Sequence, residues 1–481
     1  MKQELWTAYE AAAATGGMLC AKGSPKDAEN EIWPEEDWSA KGLSIDTRTL
    51  RPGDIFVALK ETRDGHDFVR SAFEKGAAAA LVSRPPEDMP KNKPLLIVPD
   101  TLGGLRGLAA AARDRCFGQL IAVTGSAGKT STKEMLYAAL QGSGKVHAAA
   151  RSFNNHFGVP LTLAALPEDA DFGIFEIGMN HKGEITPLTK LVQPHIAIIT
   201  TVAAAHLEFF DSVADIARAK AEIFSGLRSG GIAILPRDNE HYDLLAAEAS
   251  DYGARIVRFG RHEKADYQLL DYRAVTDGAE ITAMLGGERV SFSLRLTGEH
   301  QAMNALAVLA AVDASGGDRE KALAGLEKFA AVEGRGARYG LTLDGKSVTL
   351  IDESYNANPA SMRAALSSLE GLKGRRIAVL GDMLELGEDA QGLHLSLKPL
   401  LQAANIDLVF CAGPMMRGLF ETLPKNMQGA WSEAAIDLED AILAAVKAGD
   451  VIIAKGSNAS KTSALVTKLR AHENKQEKPK G

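Results

Sequence analysis

Gly125-Ser126-Ala127-Gly128-Lys129-Thr130, with Ser131 behind it, sits between the apolar run IAVT and the helix-forming stretch STKEMLYAAL. Glycines there let the backbone curl so that its N–H groups converge on phosphate oxygens. A helix N-terminus adds partial positive charge. In such a loop the lysine reaches the β- and γ-phosphates, and the threonine offers a hydroxyl to Mg²⁺. Two residues separate the first glycine from the Gly-Lys pair, against four in the usual phosphate loop, so this loop is short. A glycine-rich turn between a strand and a helix is often only structural; Gly-Lys-Thr in that context favours ATP.

Two further side chains stand at strand ends. Glu176 closes the run FGIFEIG, and His206 follows IAIITTVAAA. The carboxyl ends of parallel strands face the crevice where ligands bind. A lone histidine there is usually structural, but a Glu and a His downstream of a phosphate loop point together to a metal position. Mg²⁺ prefers oxygen ligands and keeps waters, so histidine is not the ligand that chemistry alone selects. Lys220 is a third candidate. The stretch Asp215–Leu227 reads as one helix with Ile216, Ile223 and Leu227 on an apolar face, and Lys220 falls within that stripe. Lysine is almost never fully buried without a partner; ordinarily its stem lies along the core while the ammonium reaches water.

Other polar clusters punctuate the chain. SFNNHFGVPLT, residues 152–162, carries Asn154, Asn155 and His156, as turn residues or as contacts. Asn304 ends EHQAMN before an Ala/Leu helix. Arg335 and Arg338 lie in EGRGARYG, and spacing does not choose between them as a phosphate contact. DESYNANP, residues 352–359, closes the strand VTLI with Asp352 and Asn356 in a strand-to-helix turn. Ser44 and Arg48 lie in SIDTR, where an ordinary surface salt bridge is nearly as good a reading.

Positioning these residues needs more than one core. Single cores stop growing near ~250–300 residues, and the chain has 481. Three α/β blocks are visible. The first, 1–115, mixes the runs DIFVAL, AAAALVS and LLIVPD with Ala-rich helices. The second, 116–333, alternates LIAVTG, FGIFEIG, IAIITTVA and GIAILP with helices, the pattern of a parallel sheet. It ends in YQLLDYRAV, EITAML and RVSFSLRL, an antiparallel edge. The third, 334–481, repeats the rhythm with VTLIDESY, RRIAVLGD, DLVFCAG and DVIIAKG, a Rossmann-like sheet.

The composition is globular, with 46% hydrophobic and 24% charged residues. A net charge of −8 argues against a nucleic-acid or membrane-surface binder. The cysteines, Cys20, Cys116 and Cys411, have no metal-like spacing and fit a reducing compartment. MKQELWTAYEAAAATGG lacks the apolar core of a secretory signal, no run is long enough to cross a bilayer, and ENKQEKPKG from Glu473 reads as a frayed polar end. No Ser-His-Asp or Cys-His set is apparent.

The short loop TGSAGKTS resembles that of the Mur ligase family and its relative folylpolyglutamate synthase. HLEFFDSVADIARAKAEIF and the Asn-Asn segment extend the resemblance, which covers all three blocks. It implies an N-terminal UDP-sugar domain, a central ATPase domain and a C-terminal Rossmann-like domain in a monomeric cytoplasmic enzyme. It implies that Lys129, Glu176, His206 and Lys220 are catalytic. Thr130, Glu176, His206 and a carbamate on Lys220 (N6-carboxylysine) would hold two Mg²⁺. Residues 125–131 with Asn304, Arg335, Asp352 and Asn356 would bind ATP, and Ser44, Arg48, Asn154 and Asn155 the other substrates. DESYNANP, and LGDMLELGEDA followed by His394, are most similar to the members that add D-alanyl-D-alanine to UDP-N-acetylmuramoyl-tripeptide. One departure stands out: Lys455-Gly456-Ser457-Asn458 has asparagine where relatives often carry arginine. Two other readings stay open, a family ligase using a single amino acid and a nucleotide-binding regulator without ligase chemistry.

Overall fold

The computed structural model describes residues 4–20, 38–87, 93–275, 278–369 and 372–472; the polar end expected from Glu473 lies outside them. Three main sheets carry the fold. The first has five strands, in the order Met18–Cys20, Leu95–Ile97, Ala79–Val82, Asp54–Val57, Gly42–Ser44, parallel except for the first pair. A two-stranded ribbon, Trp6–Thr7 with Ser39–Ala40, flanks it.

The second sheet has nine strands. Its parallel part runs Arg255–Gly260, Ile232–Pro236, Ile196–Ile199, Gln119–Thr124, Phe172–Glu176, Val146–Ala148. The antiparallel meander Tyr267–Val275, Gly278–Leu285, Glu288–Leu294 extends one edge, as the closely spaced runs foretell. Side chains alternate faces along a strand, and here they sort into two cores. Leu120 and Ala122 join one, Ile121 and Val123 the other. The helices Lys129–Leu140 and Glu299–Ala314 cover the second face. The first face shares its core with the N-terminal block. Trp6 is the tie, with Nε1 donating to the Ala164 carbonyl at 2.9 Å and its ring stacked under Arg115.

The third sheet has six strands, in the order Ala337–Leu343, Lys346–Glu353, Val451–Lys455, Arg376–Gly381, Leu408–Ala412, Gln428–Ser432, antiparallel only in the first pair. Strand Val451–Lys455 returns last in sequence to lie between two earlier strands. The crevice at its carboxyl end is therefore the switch point where such sheets bind ligands.

The helix expected over Asp215–Leu227 is shorter. The α-helix spans Val213–Ala221 and tightens into a 3-10 helix over Glu222–Gly226. The cause is packing. Gly226 lies so close to the neighbouring helix that an added Cβ would meet Thr189 backbone at 2.3 Å. Glu222 leaves its own helix face to accept from Gly183 N and Thr186 N.

Candidate active site

The phosphate loop emerges from strand Gln119–Thr124 and enters helix Lys129–Leu140. Gly125 (φ 153) and Gly128 (φ 83) are required: a Cβ on the first would lie 1.9 Å from Thr200 Oγ1, and on the second 2.9 Å from Asn304 Oδ1. Thr200 Oγ1 donates to the Ala127 carbonyl at 2.5 Å, and Ser126 N donates to Thr201 O at 2.8 Å. The loop is thus fixed before any ligand arrives. Lys129 folds back, its Nζ donating to Gly125 O at 2.7 Å.

Glu176 is buried beside this loop. Its Oε2 accepts from Thr130 Oγ1 at 2.8 Å, and its Oε1 accepts from Ser152 Oγ at 2.7 Å and Asn154 Nδ2 at 2.8 Å. Burial alone pushes the carboxyl up, but Lys129 and these three hydrogen bonds outweigh it and hold the group below its ordinary range. Burial also pushes the Lys129 ammonium down, with Glu176 opposing and Arg335 adding.

A cavity of about 730 Å³ opens from the phosphate loop toward the third sheet. Ser126 to Ser131, Asn154, Glu176, Asn304, Arg335 and Asn356 line it. Asn304 faces the loop rather than solvent. Arg335 stacks over the Tyr355 ring at 4.0 Å, whereas Arg338 donates to Thr297 Oγ1 at 2.8 Å and does not line the cavity. Of the two arginines, Arg335 alone borders the cavity. The third sheet reaches back directly, through Asn358 Nδ2 donating to Ser126 O at 3.1 Å.

Several expected residues lie elsewhere. Asp352, expected at the nucleotide, is buried outside the cavity lining and accepts from Gly334 N at 2.9 Å and from Ser354 Oγ. Asn155 accepts from Gly158 N at 2.9 Å, opening the helix Gly158–Ala164. Ser44 ties its own turn through Asp46. Arg48 is exposed and pairs with Asp46 at 2.6 Å, which draws that carboxyl down to about 2. Gly125, His206 and Lys220 are not among the lining residues either. The positive charge of Lys129 nevertheless disfavours a proton on both His206 and Lys220, in each case after burial. Lys220 is 1% exposed, so its ammonium does not reach water. Burial drives its basicity well below the ordinary lysine value, Lys129 adding.

Spacing gave no hint of Ser152, which comes to Glu176 from 24 residues upstream, nor of the cluster at the far end of the cavity. There Lys455 Nζ donates to Asn356 O at 2.8 Å and faces Glu353 at 3.8 Å. Burial lowers the one and raises the other. One hydrogen-bonded triad does exist, contrary to the sequence reading: Asp64, His66 and Ser83. His66 Nδ1 meets Asp64 at 2.6 Å, but its Nε2 accepts the Ser83 backbone N–H at 3.0 Å, so the triad laces the first sheet together.

A fixed phosphate loop beside a buried carboxylate, opening onto the switch point of a second α/β sheet, is the frame of an ATP-using enzyme. Residues 123–312 match the Mur ligase middle domain, 337–458 the Mur ligase glutamate ligase domain, and 39–113 the Mur ligase catalytic domain. The chain belongs to the Mur ligase family and is an ATP-dependent peptide ligase. It is 35% identical over 435 residues to the UDP-N-acetylmuramoyl-tripeptide–D-alanyl-D-alanine ligase of Bacillus subtilis, covering 89% of this chain and 93% of that one. Among solved structures it is similar to MurF from Acinetobacter baumannii, with 30% identity, TM-score 0.82 and coverage of 97% and 99%. It is also similar to MurF from Thermotoga maritima in complex with ADP, with 25% identity, TM-score 0.76 and coverage of 90% and 98%. No helix among the described residues is long and apolar enough to cross a membrane.

Proposed function

We propose that the chain joins D-alanyl-D-alanine to UDP-N-acetylmuramoyl-tripeptide, consuming ATP and releasing ADP and phosphate, in the synthesis of peptidoglycan precursor. The near full-length likeness to ligases of that name carries the reading, because it spans all three blocks and not the nucleotide site alone. A nucleotide-linked substrate and three free cysteines favour the cytoplasm as its place of action, and one chain that supplies all three blocks favours a monomer. The domain limits 1–115, 116–333 and 334–481 accompany the proposal.

A terminal carboxylate oxygen of the tripeptide attacks the γ-phosphorus of ATP, and the bond to ADP breaks. The dipeptide amine then attacks the acyl carbon, and phosphate leaves with one former carboxylate oxygen. Both steps bring anions together, so electrostatics dominates the barrier. Lys129 offers its charge to the transferring phosphoryl group. The phosphate-loop N–H groups hold the β- and γ-phosphates, and Asn304 and Arg335 border the nucleotide. Closure of the third block over the cavity excludes water from the acyl phosphate.

The residues present fit Mg²⁺. Thr130 Oγ1 and the ionised Glu176 are hard oxygen donors on a rigid frame, as this cation requires. Thr130 and Glu176 would hold the ion, with phosphate oxygens and water supplying the rest of its shell. When bound, Mg²⁺ neutralises the transferring group and polarises it. A second ion falls to His206 and Lys220. Lys220 is buried, has no acidic partner among the described residues and is easily deprotonated. Its neutral amine adds to the carbon of CO₂ and releases a proton, which leaves a carboxylate on a long arm.

Phosphate release by purified protein tests the reading. Release that needs ATP, UDP-N-acetylmuramoyl-tripeptide and D-alanyl-D-alanine together is expected. Equal release with a single amino acid such as D-glutamate transfers the assignment to another family ligase. ATP binding without release leaves only a regulator.

A further inference from the structure

His206 and Glu385 meet across the seam between the second and third blocks. His206 Nδ1 lies 2.6 Å from Glu385 Oε2, although 179 residues separate them in sequence. Both have left-handed backbones, at φ 57 and φ 60. Non-glycine residues avoid that region. Two strained residues whose side chains find each other across a seam form a built contact.

The backbones join as well. Glu208 N donates to Glu385 O at 3.3 Å, and Gly387 passes so close to Leu207 O that a Cβ would lie 3.2 Å from it. The Glu385 loop is rigid on its own side. Asp382 accepts from Met416 N at 2.8 Å. His394, fully buried, accepts from Met383 N at 3.0 Å through Nε2, and its Nδ1 donates to Ala390 O at 2.6 Å. This anchoring gives the buried His394 its role and presents Glu385 at a fixed place.

The chemistry of the contact is directional. A carboxylate only accepts, so Nδ1 carries the proton and the lone pair remains on Nε2. An imidazole held in that tautomer by a carboxylate is a better oriented and more basic metal ligand.

We infer that Glu385 is the positioning residue for His206, so that the second-ion site is complete only when the third block is seated against the second. The proposal rests on the two-ion reading above. It ties metal binding to block closure: the loop that follows strand Arg376–Gly381 also sets the tautomer of the ligand across the seam. The Glu385 side chain is 42% exposed, so the contact opens without uncovering a core.

The test is Mn²⁺ binding in the presence of ADP, counted by electron paramagnetic resonance on the full-length protein. The unsubstituted chain is expected to bind two ions. Glu385→Ala is expected to weaken the second by roughly 10–100-fold, with the first ion and ADP unaffected. Glu385→Gln keeps an acceptor oxygen for Nδ1 but not the charge, and falls between. In turnover, both variants lose kcat at unchanged KM for ATP, and raised metal concentration restores it in part. Two ions bound with unsubstituted affinity in both variants overturn the positioning role. A single ion in the unsubstituted chain overturns the two-ion reading beneath it, and is distinguished by appearing before any substitution.

Discussion

Replacing Lys220 with methionine separates its cost to the fold from its use to the reaction. The side chain is 1% exposed and, among the described residues, has no hydrogen bond or ion pair. Methionine keeps the length and removes the amine. An unsatisfied buried polar group costs about 1–3 kcal/mol, so Lys220→Met is expected to be more stable than the parent by that amount in CO₂-free buffer. At about 2–4 °C per kcal/mol for a domain of this size, Tm rises by several degrees. The sign with pH follows from the lowered basicity. The unfolded lysine holds its proton up to the ordinary value, 10.5, while the folded one gives it up sooner. The penalty is therefore absent above that pH, grows as pH falls below it, and becomes constant below the folded value. The gap in Tm between Lys220→Met and the parent should narrow as pH rises toward 10.5. Activity moves the opposite way: loss of a ligand to the ion at the transferring phosphoryl group is expected to lower kcat on the order of 10²–10³-fold, while bicarbonate stabilises only the parent. Differential scanning fluorimetry across pH and a phosphate-release assay read the two effects. A variant that is less stable at neutral pH refutes the unpartnered amine, and one with full turnover refutes its use.

Further substitutions probe the rest of the site. Lys129→Ala should keep the fold and lose turnover by roughly 10²–10³-fold; near-normal turnover in a folded variant removes the phosphate-loop assignment. Arg48→Ala should raise KM for the UDP-linked substrate without moving KM for ATP, by the about 1.5–3 kcal/mol of a hydrogen bond to a charged group; unchanged values reduce the Arg48–Asp46 pair to a surface salt bridge. His300 is pushed down to about 4 from 6.5, by burial first and Lys455 second. A folded value below the unfolded one means stability is lost as pH falls from 6.5 toward 4. The Tm of the parent should therefore drop relative to His300→Asn over that window, and parallel curves refute the shift.

What the sequence made legible is what local rules control. The unbroken apolar run Leu120, Ile121, Ala122 and Val123 announced a strand of a parallel sheet, and Gly-Lys-Thr behind it announced the loop. The stripe through Ile216 and Ile223 placed Lys220 inward. Strand Arg255–Gly260 escaped notice because Arg255 and Arg258 break its apolar run, the second being paired with Asp266. Gln428–Ser432 offers no apolar run at all. Strand Ala337–Leu343 carries Arg338, Gly340 and Thr342, so only its antiparallel pairing with Lys346–Glu353 makes it a strand. In the site, Ser152, Glu385 and Lys455 were invisible for one reason. Each acquires its partner through tertiary packing, Glu385 across the seam and the other two within a block, and spacing along a chain does not encode contacts between residues 24 to 179 positions apart. Asp352 shows the converse, a motif residue whose side chain ties Gly334 and Ser354 in place behind the site.

The central claim is ligation through an acyl phosphate, and isotope transfer tests it most directly. UDP-N-acetylmuramoyl-tripeptide labelled with ¹⁸O in its terminal carboxylate is turned over with ATP and D-alanyl-D-alanine, and the released phosphate is examined by ³¹P nuclear magnetic resonance. The account predicts one ¹⁸O in each phosphate and the other retained in the new amide. Unlabelled phosphate accompanying amide formation would contradict it.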